Sequence, residues 1–219
     1  AGWLNGFIGV LIFSGSLPAT RVAVLSVDPL FLTAIRAVGA AVLALGALFV
    51  LRAARPRRSD LVPLAIVAAG VVIGFPLLSA LALRHMTAAY SLVFVGLLPL
   101  ATAIFGALRG GERPRLAFWI CACIGSALVA GFALTHAGSG SWAGDGLMLA
   151  AIVVCGLGYA EGAVLSRRLG GWQVISWALV LARPLTLALL AFAASRAGHG
   201  IGLSAWIAVI YVTVGSMWI

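Results

Sequence analysis

The stretch from Leu30 to Arg58, LFLTAIRAVGAAVLALGALFVLRAARPRR, joins a long apolar run to a cluster of four arginines. Its apolar part is as long as the roughly 20 residues that an α-helix needs to cross the hydrocarbon core of a bilayer. Apolar and polar residues do not alternate along it, as they would in a membrane β-strand. The stretch therefore predicts a transmembrane helix followed by a basic loop.

The composition of the whole chain agrees with this interpretation. Of its 219 residues, 63% are apolar, and charge is carried only by 14 arginines and 5 acidic residues. Soluble domains have about a quarter of their residues charged, and disordered chains are poor in hydrophobic residues, so both classes are excluded. The net charge of +9 does not indicate nucleic-acid binding, because the arginines lie between apolar runs and not along one exposed face. We expect an all-α polytopic membrane protein.

Apolar runs of spanning length recur eight times along the chain. Turn residues such as Asp28-Pro29 and Gly170-Gly171 separate them, so neighbouring helices are expected to be antiparallel. The last run is still apolar where the sequence stops, which predicts that the natural protein continues beyond it. The predicted spans are residues 3–25, 30–51, 61–83, 87–108, 116–135, 145–165, 172–195 and 203–219.

The distribution of arginine predicts the orientation. Loops after the second, fourth and sixth spans hold nine arginines, whereas the loops on the opposite side hold only Arg84 and Arg196. Cytoplasmic loops of membrane proteins carry an excess of basic residues. We therefore expect a multi-pass protein of the cell inner membrane with a cytoplasmic N-terminus.

The hydropathy pattern repeats with an offset of 140 to 141 residues. Gly6 aligns with Gly146 and Gly74 with Gly215, and spans one to three recur as spans six to eight. An odd number of helices, five, separates the copies, so the second copy is inverted across the membrane; such repeats are typical of transporters. The sequence predicts a first repeat of five helices at residues 1–137, a linker at 138–144 and an incomplete second repeat of three helices at 145–219.

A family signature lies between Ala80 and Arg113. The segment Ala80–Ser91, ALALRHMTAAYS, precedes an apolar run that contains Pro99, and Leu108–Arg113, LRGGER, closes that run. This pattern resembles the EamA domain of the drug/metabolite transporter superfamily, and the chain is similar in character to the YddG-type exporters of aromatic amino acids and cationic drugs. The resemblance implies ten helices in an inverted repeat of five-helix bundles, eight of them in this chain, and export of small metabolites.

Polar and aromatic residues on one face of an apolar helix are candidates for the wall of a solute cavity. Phe75 and Ser79 lie four residues apart, as do Tyr90 and Phe94, so each pair shares a helix face. Packing in the core or at the membrane interface is the competing explanation for each aromatic residue. The predicted substrate-binding residues are Ser14, Ser16, Phe75, Ser79, Tyr90, Phe94, Tyr159, Glu161 and Tyr211.

Charged residues inside the spans form a second group of candidates. A charge at the bilayer centre costs about 2.5–3.5 kcal/mol on insertion scales, so a partner should offset it. One hypothesis is that Glu161 binds a proton or a cationic group while Arg36 or Arg183 receives a carboxylate. The alternative is a structural ion pair, or arginine bonds to carbonyls that Pro184 leaves free.

The sequence contains no recognisable nucleophile, metal-ligand or cofactor motif. We therefore expect no enzyme activity, no cofactor and no metal. We expect a small-molecule exporter that works by alternating access in the lipid bilayer, as a monomer or a homodimer, and binds no nucleic acid. Amino acids with aromatic or apolar side chains are the expected substrates, with cationic drugs as a further class. The alternative is a structural or assembly membrane protein that binds partner helices.

Overall fold

The computed structural model describes residues 2–111, 114–135, 141–194 and 202–216, and every regular element in these ranges is helical. A 3-10 turn, Arg58–Asp60, precedes α4, and a π-helical segment, Ala68–Gly74, joins α4 to α5. The helices are α1 (Gly2–Ser14), α2 (Ser16–Val24), α3 (Pro29–Val50), α4 (Leu61–Val67), α5 (Phe75–Ala82), α6 (Ala88–Val95), α7 (Leu98–Gly110), α8 (Leu116–Thr135), α9 (Trp142–Leu169), α10 (Gly171–Ala194) and α11 (Leu203–Val214).

Six helical stretches in these ranges are long and apolar enough to cross a membrane, which confirms an all-helical, multi-pass chain. They match predicted spans one to four, six and seven. Spans five and eight stay predictions, because the apolar stretches of α8 and α11 are shorter. The six stretches are Phe7–Val24, Pro29–Val50, Arg58–Ala82, Ala88–Gly110, Trp142–Leu169 and Gly171–Ala194.

Side-chain caps fix where several helices begin. Asp28 accepts hydrogen bonds from the first backbone N–H groups of α3, and Thr87 does the same for α6. The hydroxyl of Ser141 accepts from the backbone N–H of Gly144 at 3.2 Å. Because of this cap, α9 begins at Trp142, inside the predicted linker 138–144.

The third span changes its helical type at its middle. The backbone N–H of Phe75 donates to the carbonyl of Gly70, five residues earlier, which is the spacing of a π-helix. Pro76 follows in the first turn of α5 and has no N–H to donate, so a carbonyl of the preceding turn loses its helical partner. Such π-helical turns are rare and occur frequently at functional sites.

The π segment and α9 cross with their backbones in contact. A Cβ atom at Gly70 would lie 2.3 Å from the carbonyl oxygen of Val154 and 3.3 Å from the Cα of Gly158. A Cβ atom at Gly158 would lie 2.7 Å from the Cγ2 of Val71. Glycine at both positions therefore allows the close approach, as small residues do between membrane helices.

Two buried clusters hold the helices together. Leu83, Met148 and Ile152 belong to the first, which joins α2, α5, α6, α11 and the first half of α9. Leu64 and Leu179 belong to the second, which joins α3, α4, α10 and the second half of α9. Both α3, through Leu32, and α9 contribute to both clusters, but α9 also contacts α4, α5, α6, α7 and α10 and is therefore the central helix of the described bundle.

Large apolar side chains also cover much of the outer surface. Phe49 is 85% exposed and Leu128 is 70% exposed. A continuous apolar surface of this kind would make a water-soluble protein aggregate, but it is the expected surface of helices that face lipid. The exposure of these side chains therefore agrees with a membrane-embedded bundle.

Predicted loops meet at opposite ends of the bundle. The indole N–H of Trp177 donates to the carbonyl of Ala54 at 3.2 Å, near the start of α10. At the other end, Gly144 at the start of α9 packs against His85 and Met86. The loop after span two therefore lies beside the first turns of α10, and the loop after span three lies beside the start of α9.

Candidate functional site

A cavity of about 650 Å³ lies between α1, α3, α9, α10, the π segment and the end of α11. Sites for small molecules typically have volumes of about 300–1,000 Å³. The wall is mostly apolar, with Phe13, Val71 and Val174 among its side chains, and Arg36 and Tyr159 are among its few polar groups. Its size and lining are those of a site for a small, partly apolar molecule.

Arg36 brings a buried positive charge to this wall. The residue is 5% exposed and lies about one third of the way along α3. Its Nη2 donates to the hydroxyl of Ser216 at 3.3 Å, and its Nε has no hydrogen-bond partner among the described residues. The guanidinium group therefore retains donor capacity beside the cavity.

Besides Phe13, two aromatic residues predicted for the site line the cavity, and each lies next to an irregular feature of its helix. Phe75 follows the π segment directly, and Tyr159 follows Gly158, where α9 meets that segment. Phe75, Tyr159 and Arg36 are the predicted site residues that the structure places around this one cavity.

Tyr90 and Phe94 are close together but lie away from this wall. Their rings meet edge to face, with centroids 5.4 Å apart and planes at 76°. Both rings are buried in the cluster that joins α6 to α9, and the Tyr90 side chain is hydrogen-bonded to that of Asp145. In the structure this pair packs the core.

The predicted serines and Tyr211 also lie outside the cavity wall. The hydroxyls of Ser14 and Ser79 donate to carbonyls of their own helices, and the Ser16 hydroxyl has no partner within the described ranges. Tyr211 fits against the α1–α2 break, and its hydroxyl donates to the carbonyl of Ile12. Tyr211 therefore ties α11 to the first span.

The other intramembrane charges have different surroundings. Glu161 is 5% exposed and accepts a hydrogen bond from the guanidinium of Arg109, with which it forms an ion pair. Arg183 is exposed on α10. Neither Glu161 nor Arg183 lines the cavity. The geometry around Glu161 is that of the structural ion pair considered as the alternative.

A second ion pair lies near the same end of α9. The carboxylate of Asp60, 2% exposed, accepts from Arg168 and from the backbone N–H of Arg57 at 2.9 Å. Together with the Arg109–Glu161 pair, this contact fixes the end of α9 that is rich in arginine. Among the described residues, no carboxylate lines the cavity.

Several wall residues could not be identified from sequence. Ser216 follows α11 and is one polar residue among several in that run. Gly158 and Gly162 belong to a small-residue pattern that is common in a chain with 27 glycines, so the pattern has little specificity.

Within the described ranges, no group of three His, Cys, Asp or Glu residues is arranged as a metal site would require.

Comparison with known proteins agrees with this architecture. Residues 1–134 match the model of the EamA-like transporter family. The chain is 63% identical over 216 residues to the uncharacterized transporter YdeK of Bacillus subtilis (strain 168), and the aligned region covers 99% of this chain and 75% of that protein. No solved structure matches the chain. With a family match over more than half of its length and a relative of this identity, the chain belongs to the EamA-like transporter family.

Proposed function

We propose that this membrane transporter exports small metabolites by alternating access, and that amino acids with aromatic or apolar side chains are its main substrates. The observation that carries the proposal is the cavity of about 650 Å³ with Phe75, Tyr159 and Arg36 on its wall. Aromatic rings offer stacking surface to a planar or apolar side chain, and the guanidinium offers hydrogen bonds to a polar end. Cationic drugs are the second class that the family resemblance suggests.

The packing of the helices supports the two inverted repeats on which alternating access depends. If spans one, two and three correspond to spans six, seven and eight, the contact of α2 with α11 corresponds to the contact of α9 with α5. Both contacts are present. Under the same correspondence α3 and α10 are each other's counterparts. Their extensive contact is therefore the one expected for two helices that meet at a two-fold axis.

The position of the cavity supports the direction of transport. Arg36, Phe75 and Gly158 lie well inside their spans, whereas Ser166 and Gly171 lie near the end with the basic loops. The positive-inside rule assigns that end to the cytoplasm. A cavity that extends from mid-bundle towards the cytoplasm is suited to receiving a solute for export.

The proposal also covers the membrane in which the protein lies, its orientation there and the boundaries of its two repeats. We propose an inner-membrane location, a cytoplasmic N-terminus, repeats at 1–137 and 145–219, and a ten-helix full-length protein. Oligomerisation is not needed for this mechanism, since the cavity lies within one chain.

Counterflow in proteoliposomes tests the proposal. Full-length protein is reconstituted into vesicles loaded with unlabelled phenylalanine, and uptake of labelled phenylalanine is measured. We expect uptake above that of protein-free vesicles, saturating with solute concentration. A folded protein that moves none of the aromatic or apolar amino acids would contradict the proposal and favour a structural or assembly role.

A pair of glycine variants links transport to the cavity. Gly162 lines the cavity and has room for a Cβ atom, which would lie 3.7 Å from Val67. Gly146 is in the same helix, is exposed and has no neighbour within 4 Å of its Cβ position. We expect Gly162→Leu to obstruct part of the cavity and strongly reduce counterflow, whereas Gly146→Leu leaves it intact. Equal activity of the two variants would show that solute does not use this cavity.

A further inference from the structure

The charge of Arg36 is not balanced by any acidic side chain in the described part of the chain. Glu161 is paired with Arg109, and Asp60 with Arg168. Asp28 caps α3, and Asp145 is hydrogen-bonded to Tyr90. None of these carboxylates lies on the cavity wall, where Arg36 is the one charged side chain among the described residues.

An isolated buried cation is unfavourable in a protein and more so inside a bilayer. Buried charges are normally paired, and Arg36 is 5% exposed with one neutral partner, the Ser216 hydroxyl at 3.3 Å. Its Nε lacks a partner within the described ranges. The missing partner is therefore expected to be an anion with at least two acceptor atoms, and the cavity is the space in which it fits.

We propose that Arg36 and Ser216 form the binding site for the carboxylate of the transported solute, so that the transporter selects carboxylates over organic cations. The inference rests on the proposed transport function and narrows its substrate class. The planar guanidinium matches a carboxylate with two parallel hydrogen bonds, which a point charge cannot do. The Phe75 and Tyr159 rings, which line the same cavity, take the apolar part of the solute.

The same geometry disfavours a cationic solute. An ammonium group in this cavity would meet a buried positive charge, and the described wall residues include no carboxylate to bind it. Repulsion between like charges is strong where water is scarce. A zwitterionic amino acid can place its carboxylate at Arg36 and its ammonium group towards water, but a monocationic amine has no such arrangement.

Equilibrium binding to the full-length protein in detergent tests the charge preference without any variant. Phenylacetate, phenylacetamide and phenethylamine share a phenyl ring and differ in the charge of the end group. We expect isothermal titration calorimetry to give the highest affinity for phenylacetate and the lowest for phenethylamine. Equal affinity for acid and amine, or a preference for the amine, would overturn the inference. Chloride at equal ionic strength is expected not to displace phenylacetate, and displacement would assign the site to inorganic anions instead.

Substitutions of Arg36 test whether this residue causes the preference for a carboxylate. We expect Arg36→Gln to weaken phenylacetate binding by about tenfold or more, since a hydrogen bond to a charged group is lost, and to leave phenylacetamide nearly unchanged. Arg36→Lys keeps the charge but loses the planar fork, so an intermediate loss is expected. Arg183→Gln is the matched control, because Arg183 also lies within a span but away from the cavity wall. Phenylacetate affinity that is unchanged in Arg36→Gln would refute the assignment.

The outcomes separate this inference from the proposed function. Carboxylate binding that depends on Arg36, together with no counterflow of any solute, would leave the site in place and refute the export proposal. Counterflow of phenylalanine that phenethylamine inhibits as strongly as phenylacetate does would support export and refute the carboxylate site.

Discussion

Replacement of Gly70 by alanine tests the backbone contact between the π segment and α9. The added Cβ would lie 2.3 Å from the carbonyl oxygen of Val154, whereas ordinary contacts begin at 3.4 Å, so the two helices must separate by about 1 Å. The obstacle is backbone on both sides and cannot move away by a rotamer change. Overpacking of this kind costs about 1–3 kcal/mol.

The matched control is Gly146→Ala in α9, where nothing lies within 4 Å of the new Cβ. Both variants gain up to about 1 kcal/mol of helix propensity, so this contribution largely cancels in the comparison. We expect Gly70→Ala to be less stable than Gly146→Ala by about 1–3 kcal/mol, which is a few degrees of Tm for a chain of this size.

Thermal unfolding in detergent, followed by tryptophan fluorescence, measures the difference. If Gly70→Ala melts at or above the temperature of Gly146→Ala, the close crossing of the two backbones is not a feature of the protein. Transport by the same two variants, reconstituted in proteoliposomes, shows whether the crossing also matters for movement, because Val71 and Gly158 beside it line the cavity.

Three further substitutions address contacts outside the cavity. Tyr211→Phe removes a hydrogen bond to a carbonyl of α1, and we expect a loss of about 0.6–1.5 kcal/mol in the same unfolding assay. Glu161→Gln removes the partner of Arg109, whose side chain is 49% exposed and can turn to water, so a loss of about 1 kcal/mol with counterflow preserved is expected. Loss of counterflow in this variant, if it stays folded, would instead give Glu161 a direct role. Asp60→Ala removes both a helix-start hydrogen bond and an ion pair, and a loss of about 2 kcal/mol is expected.

Sequence alone predicts most of the spans because apolar length is a strong signal. The predicted span at 30–51 coincides with Pro29–Val50, and that at 87–108 with the stretch Ala88–Gly110. The π segment could not be predicted, because a uniformly apolar run has no polar positions that would distinguish the period of a π-helix from that of an α-helix. It is visible only through the hydrogen bond from Phe75 to Gly70.

The candidate site was only partly predictable for a related reason. Arg36 stands out in sequence because a charge within an apolar span needs an explanation, and the structure gives it a cavity and no carboxylate partner within the described part of the chain. Tyr90 and Phe94 have the four-residue spacing that also selected Phe75, but the helix face that they share packs into the core beside α9. Which face is buried and which borders a cavity depends on the neighbouring helices, and the pattern of one helix does not contain that information.

Accessibility of a cysteine on the cavity wall tests the central claim most directly, namely that a water-filled solute pathway lies inside a lipid-embedded bundle. In a background without Cys121, Cys123 and Cys155, one variant carries Gly162→Cys and the other Leu128→Cys on α8. Gly162 lines the cavity and has room for a Cβ atom, whereas Leu128 is 70% exposed on the outer surface. The rate of modification by a charged, membrane-impermeant thiol reagent in proteoliposomes is measured with and without phenylacetate. We predict rapid modification at position 162 that phenylacetate slows, and little at position 128; faster reaction at 128, or no protection at 162, would contradict the account.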